Sequence, residues 1–186
     1  MSKVVIFNGS PRKNGYTSKL LEEVRKGAES KGAETITFDL NNSKIRGCQG
    51  CLYCRENDGC KTQDYLQPMY KEITKADGVV FGSPIYGYQI SGQSKIWLDR
   101  TFPMVGGMTN FEPRHPGKKL LTVFSQGNVD KDSFIEGISH VNNVLKMYGW
   151  DLIDTIICSG TTNPHFEIAK DVLEKAFQDG KNLIKS

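Results

Sequence analysis

The chain has 186 residues and a formal net charge of +3, and 38% of its residues are hydrophobic. A prior of roughly 150 residues per domain predicts a single domain over residues 1–186, and the apolar content excludes a disordered polyelectrolyte. The charge is too small to indicate a nucleic-acid partner, and no apolar run approaches the roughly 20 residues of a membrane span. We therefore expect a globular protein that binds neither nucleic acid nor membrane.

The apolar run near the N-terminus, residues 4–7, is only four residues long. A secretory signal needs roughly 7–15 apolar residues, so we expect the protein to be cytoplasmic. Cytosolic thiols are kept reduced, and four of the five cysteines fall within residues 48–60. This clustering favours metal or redox chemistry over a disulfide framework.

The first half of the chain alternates strand and helix signals. Short β-branched or alternating runs predict strands, and apolar residues at helical spacing predict helices. Polar stretches rich in Gly predict the connections between them. In chain order these are strand 3–8, helix 17–30, strand 35–40, loop 41–63 with its Cys-rich part at 43–63, and helix 65–75.

The second half continues the alternation and adds a second long loop, which contains three Pro and three Gly. A connection of about 15 residues is uncommon and usually has a functional role, so we interpret it as a lid or an interface. In chain order the elements are strand 78–82, helix 92–102, loop 103–117, strand 120–125, a helix with the apolar face Phe134, Ile138, Val141 and Leu145, strand 152–158, and a terminal helix over 173–183.

Five strands that alternate with helices indicate an α/β protein, with a parallel sheet and helices on both faces. Such sheets bind ligands beyond the carboxyl ends of their strands, at the point where the strand order reverses. The segments that follow the strands are therefore the candidate functional residues.

The segment after the first strand, residues 8–18, suits a phosphate group. Its side chains offer hydroxyls and a cation, and the next helix begins there with free N–H groups and a partial positive charge. The segment has neither the Walker A spacing nor the GxGxxG spacing, and ordinary helix capping is an alternative explanation for its Ser and Thr residues. The candidate phosphate ligands are Ser10, Arg12, Thr17 and Ser18.

The loops after the third and fourth strands, residues 82–88 and 125–128, combine a glycine with flat or polar side chains. Main-chain groups in such loops can hydrogen-bond the edge of a planar heterocycle. Plain strand-to-helix turns are the alternative interpretation. Three such turns at one edge of a sheet favour a ligand site.

The clustered cysteines Cys48, Cys51, Cys54 and Cys60 have the spacing C-x2-C-x2-C-x5-C. Four cysteine ligands suit a tetrahedral zinc or a [4Fe–4S] cluster, and the compact spacing is more typical of a cluster. A reduced or disulfide-bonded loop is the alternative. Cys158 ends the last predicted strand, where a small buried apolar residue is expected.

Taken together, these motifs resemble the flavodoxin-like, NAD(P)H-dependent FMN reductase superfamily, and most closely its iron–sulfur flavoprotein branch. The resemblance covers roughly residues 3–160. It implies a flavodoxin-like, doubly wound α/β sandwich with a five-stranded parallel sheet. The matching stretches are 8–12 with 17–18, 82–86 with 91–92, Lys95, 99–100, and the cysteine run 48–60.

The resemblance also implies the cofactors and their ligands. The four candidate phosphate ligands would bind the phosphate of FMN, and the two loops at the strand ends would contact its ring. The four clustered cysteines would bind a [4Fe–4S] cluster. A homodimer or homotetramer is expected, with residues 92–100 and 103–117 at the contact. The residues expected to line the ring are Pro84, Ile85, Tyr86, Gly87, Ser125, Gln126 and Gly127.

The function implied by the resemblance is an FMN-dependent oxidoreductase that passes electrons from NAD(P)H to a quinone, a flavin or another small acceptor. The flavin supplies the redox chemistry, so no catalytic side chain is assigned, and His115, His140 and His165 are far apart in the sequence. The alternative is an electron carrier that relays electrons between redox proteins through a cluster and FMN. A zinc-bearing binding module is a third possibility, and the acceptor and the choice of NADH or NADPH stay open.

Overall fold

Within residues 2–107 and 110–184, which the computed structural model describes, the chain forms one large sheet, one small two-stranded sheet and six α-helices. The strands are β1 (Lys3–Asn8), β2 (Glu34–Asp39), β3 (Gly78–Tyr86), β4 (Gln89–Ile90), β5 (Val105–Gly106), β6 (Glu112–Pro113), β7 (Lys119–Ser125) and β8 (Asp151–Cys158). The helices are α1 (Tyr16–Ser30), α2 (Tyr53–Glu56), α3 (Pro68–Lys75), α4 (Gly92–Arg100), α5 (Ile135–Lys146) and α6 (Lys170–Asn182), with a 3-10 turn at Phe102–Met104.

The large sheet has the strand order β2–β1–β3–β7–β8, and these five strands are all parallel. The short strand β4 pairs with the end of β3 in the antiparallel direction. The order reverses between β1 and β3, as in flavodoxin-like sheets. The predicted fold class is therefore confirmed.

Each face of the sheet carries its own hydrophobic core, because successive residues of a strand point to opposite faces. On β1, Val5 and Phe7 belong to the core beneath α3, α4 and α5. Val4 and Ile6 belong to the core beneath α1 and α6. The two cores explain why β1, β3 and β7 are nearly continuous apolar runs, as expected for strands buried on both faces.

The element boundaries differ from the sequence prediction at several places. Strand β3 continues past residue 82 and includes Pro84. Proline has no backbone N–H to donate, but β1 pairs with β3 only as far as Gly82. Beyond Gly82 the β1 side of β3 therefore needs no N–H donor, and a proline is tolerated there. Helix α3 begins at Pro68, a favoured first position for proline. Loop 41–63 contains α2, and loop 103–117 contains the 3-10 turn and the β5–β6 pair. Residues 108 and 109 of that loop lie outside the described part of the chain.

Helices α1 and α6 cross at two glycines. A Cβ added to Gly27 would overlap the backbone oxygen of Phe177, and one added to Gly180 would overlap the backbone oxygen of Val24. The two backbones therefore touch, and neither position has room for a side chain. None of the described helices has both the length and the apolar character needed to cross a membrane.

We expect Gly180→Ala to lower the free energy of unfolding by about 1–3 kcal/mol, because the new methyl must push the two helices apart. Urea denaturation measures the change. Gly92→Ala is the control, since a Cβ there meets nothing within 4 Å, and its effect should stay within about 0.5 kcal/mol. Equal effects of the two substitutions would contradict the close crossing.

Candidate functional site

A cleft of about 520 Å³ lies at the carboxyl edge of the sheet, where the loops after β1, β3, β7 and β8 meet. All the predicted cofactor ligands line it except Ser18. The cleft thus brings together segments that are more than 100 residues apart in sequence. Its lining residues are Ser10, Arg12, Gly15, Tyr16, Thr17, Pro84, Ile85, Tyr86, Gly87, Ser125, Gln126, Gly127, Thr161 and Thr162.

The loop between β1 and α1 is held in place by its own hydrogen bonds. The Ser10 N–H donates to Asn8 Oδ1 at 3.1 Å, and the Ser10 hydroxyl donates to the Arg12 carbonyl at 3.0 Å. Arg12 itself is exposed. The Thr17 hydroxyl is buried and lies 2.7 Å from the Ser125 hydroxyl. This loop therefore presents hydroxyls and the start of a 15-residue helix to the cleft, which suits an anion.

Ser18 lies apart from the other three candidate phosphate ligands. Its hydroxyl donates to the Arg12 carbonyl at 2.9 Å and contacts the side chain of Asn8. It lines a neighbouring groove together with Lys13 and Asn14. The structure therefore gives Ser18 a role in holding the loop, and its contact with a phosphate stays a prediction.

The cleft wall on the β3 side is a tight hairpin. Strand β3 turns into β4 through Gly87 and Tyr88, both with positive φ, at 54° and 68°. This two-residue geometry is the one that favours glycine in hairpins. The Tyr86 side chain beside the turn is 50% exposed, so this wall is open to solvent.

The opposite wall contains an unpaired polar atom. Gln126 is buried, and its amide nitrogen donates to the Asp130 carbonyl at 2.7 Å. Its Oε1 is buried and has no hydrogen-bond partner within the described residues. A buried acceptor without a partner is costly, so a ligand N–H in the cleft would stabilise this side chain.

Three buried serines connect the β3 side of the cleft to the loop after β1. The hydroxyls of Ser83 and Ser94 lie 2.9 Å apart, and the Ser91 hydroxyl caps α4 and donates to the Gly9 carbonyl at 2.8 Å. A Cβ on Gly9 would overlap the Ser94 hydroxyl. The start of α4 is therefore fixed to the ends of both β1 and β3.

The four clustered cysteines line a second cavity, of about 170 Å³, between the Cys-rich loop and the end of α4. Cys48 and Cys51 are exposed, whereas Cys54 and Cys60 are partly buried, and all four are free thiols. Burial, and then the neighbouring Cys60, raise the pKa of the Cys54 thiol. Among the described residues, no three His, Cys, Asp or Glu side chains are placed to hold a single metal ion.

Comparison with known proteins identifies the family. The model of the family described as NADPH-dependent FMN reductase matches residues 2–130. The chain belongs to this family. It is 29% identical over 180 residues to an iron-sulfur flavoprotein of Methanocaldococcus jannaschii, covering 97% of this chain and 87% of that protein. It is 28% identical over 184 residues to an iron-sulfur flavoprotein of Archaeoglobus fulgidus, covering 99% and 80%.

Among solved structures, the NAD(P)H:quinone oxidoreductase from Methanothermobacter marburgensis matches with a TM-score of 0.79 at 22% identity, over 100% of this chain and 98% of that chain. At this identity the likeness concerns the fold. The resemblance drawn from the motifs is confirmed, and the protein is an FMN-dependent oxidoreductase.

Four cleft residues were not among the predicted cofactor ligands. Gly15 and Tyr16 lie within the predicted phosphate segment, whereas Thr161 and Thr162 lie in a loop that the prediction left out. Both threonines follow β8, and the Thr162 hydroxyl donates to the Gly127 carbonyl at 3.0 Å. The other loops were selected because ligands bind beyond the carboxyl ends of parallel strands. The same rule, applied to β8, selects these two threonines.

Proposed function

We propose that the protein is an NAD(P)H-dependent FMN reductase or quinone reductase-like enzyme, which passes electrons from NAD(P)H to a quinone, a flavin or another small acceptor. The observation that carries this proposal is the cleft itself. It joins an anion-binding loop at one end to a solvent-open wall at Tyr86. A cofactor anchored by its phosphate would leave its ring accessible from that wall.

In this proposal each part of the cleft has one task. Ser10, Arg12 and Thr17 bind the phosphate, with the N-terminus of α1 behind them. The Gln126 Oε1 accepts a hydrogen bond from a ring N–H, and the hairpin at Gly87 limits where the ring can lie. Bound FMN would supply the redox chemistry, since flavins accept a hydride and release one or two electrons.

We also propose that Cys48, Cys51, Cys54 and Cys60 bind a [4Fe–4S] cluster in the cytoplasm, where thiols stay reduced. Their convergence on one cavity supports this. A single zinc ion needs thiolate sulfurs within about 2.3 Å of one point. A cluster brings its own sulfides and binds one thiolate at each iron, so its ligands stand farther apart.

A second candidate function is an electron carrier, in which cluster and FMN relay electrons between redox proteins. The four exposed or partly buried thiols favour it, because a cluster at the surface can meet a protein partner. The expected homodimer or homotetramer, with residues 92–100 and 103–117 at its contact, stays a prediction.

Anaerobic mixing with NADPH or NADH separates these functions. The purified protein is expected to be coloured by its flavin, and rapid bleaching of the flavin band supports the enzyme. Failure to bleach, together with reduction by a ferredoxin-type donor, would support the carrier. Colourless protein would contradict both and favour a zinc-bearing module.

A further inference from the structure

The two ends of the Cys-rich loop meet at one buried side chain. Arg100, the last residue of α4, is 1% exposed. Its Nη1 donates to the Arg46 carbonyl at 2.7 Å, and its Nη2 donates to the Thr62 carbonyl at 3.4 Å. Arg46 lies just before the first clustered cysteine, and Thr62 lies just after the last. The guanidinium therefore spans the base of the loop.

A buried carboxylate completes this arrangement. Asp64 accepts from Arg100 at 2.7 and 3.1 Å, and the same carboxylate accepts from the backbone N–H groups of Arg46 and Leu66. Burial alone would raise the pKa of Asp64, but the hydrogen bonds from Arg100 and the backbone hold this pKa below its ordinary value. The pair is thus ionised and fully hydrogen-bonded, as a buried charge pair must be.

Arg100 also lines the cavity that the four cysteines line. The far side of the loop is tied separately, because Arg114 donates to the carbonyls of Asn57 and Arg55. The loop has little core of its own, since α2 is only four residues long and Cys48 and Cys51 are exposed. A third tie is the buried Arg55 of α2, whose guanidinium donates to the carbonyls of Gly106 and Gly107. The position of the thiols therefore depends on these ties, and of the ties described here the one at Arg100 joins the two ends of the loop.

We propose that Arg100, with Asp64, is a positioning residue that closes the Cys-rich loop and holds the four thiols around one cavity before anything binds there. The proposal rests on the four-thiol site of the proposed function. A loop that is already closed loses less conformational entropy when a ligand binds, so the binding free energy is more favourable. A metal site also needs its ligands held by surrounding contacts.

The test uses variants that keep the fold. Arg100→Met alone leaves the Asp64 charge buried without a partner and threatens folding. The double variant Arg100→Met/Asp64→Leu removes both charges and replaces them with apolar groups of similar size. The matched control is Arg25→Met/Glu22→Leu, which removes an Arg–Glu pair from the exposed surface of α1.

The first measurement is amide hydrogen exchange in reduced, iron-free protein. We expect exchange across residues 47–61 to be roughly tenfold faster, or more, in the Arg100→Met/Asp64→Leu variant, because the loop opens locally. Exchange in β1 and β3 should match the wild type and the control. Equal exchange across 47–61 in wild type and double variant would overturn the proposal.

The second measurement is iron content and visible absorption after anaerobic reconstitution with iron and sulfide. The double variant should hold less than about half the iron of the wild type, whereas the control should match it. Full loading of the double variant would also overturn the proposal. If the wild type takes up no iron, the proposed cluster fails, and the exchange result alone decides the role of Arg100.

Discussion

Replacing Thr17 with Val is expected to weaken FMN binding about 10- to 100-fold. Valine keeps the shape of threonine, so the loss reports on the hydroxyl, which is buried and lies 2.7 Å from the Ser125 hydroxyl at the edge of the cleft. Hydrogen bonds to charged groups are worth roughly 1.5–3 kcal/mol, and about 1.4 kcal/mol changes affinity tenfold. We expect a loss of the same size in Ser10→Ala.

Titration of apoprotein with FMN, followed by flavin fluorescence, measures both affinities. Thr35→Val is the control, because Thr35 lies on β2 away from the cleft and its hydroxyl donates to the Glu29 carboxylate of α1. Its affinity should equal that of the wild type. Unchanged affinity in both Thr17→Val and Ser10→Ala would refute the assignment of this loop to the phosphate.

The position of Ser18 could have been predicted from the phase of α1. The buried stripe of this helix runs through Thr17, Leu21, Val24 and Ala28, which are three or four residues apart. Ser18 follows Thr17 directly, so its side chain is rotated about 100° around the helix from that of Thr17 and lies outside the buried stripe. The sequence prediction selected residue types at the helix start without applying the helical period to them.

The sheet could be predicted because its five parallel strands are short apolar or alternating runs, each of which ends near a glycine or a polar turn. The extension of β3 through Pro84 could not, since it depends on where the neighbouring β1 ends. The contact of Arg100 with Asp64 joins residues 36 positions apart, with α3, β3 and β4 between them in the sequence. No periodic pattern predicts this contact, because Asp64 lies in an irregular segment and the helical period of α4 does not indicate which distant residue Arg100 meets.

Protein purified without oxygen is expected to carry about four irons per chain and to be brown rather than purely yellow. Cys54→Ser should lose most of this iron, because Cys54 is partly buried in the cavity that all four clustered cysteines line, and serine is a poor substitute for a thiolate at iron. FMN should remain bound, since none of the cleft residues belongs to the Cys-rich loop.

Iron and labile sulfide assays and the absorption spectrum measure these two outcomes in the same sample. Cys158→Ala is the control, since Cys158 is a buried thiol at the end of β8, outside the cysteine cavity, and its removal should leave iron and flavin unchanged.

Loss of flavin and iron together in Cys54→Ser would indicate a general loss of structure, which the unfolding midpoint would show. Anaerobic wild-type protein that holds FMN but neither iron nor sulfide would contradict the cluster, because four reduced thiols around one cavity should then have bound it. The Cys-rich loop would in that case be a thiol-rich segment of a plain flavin reductase.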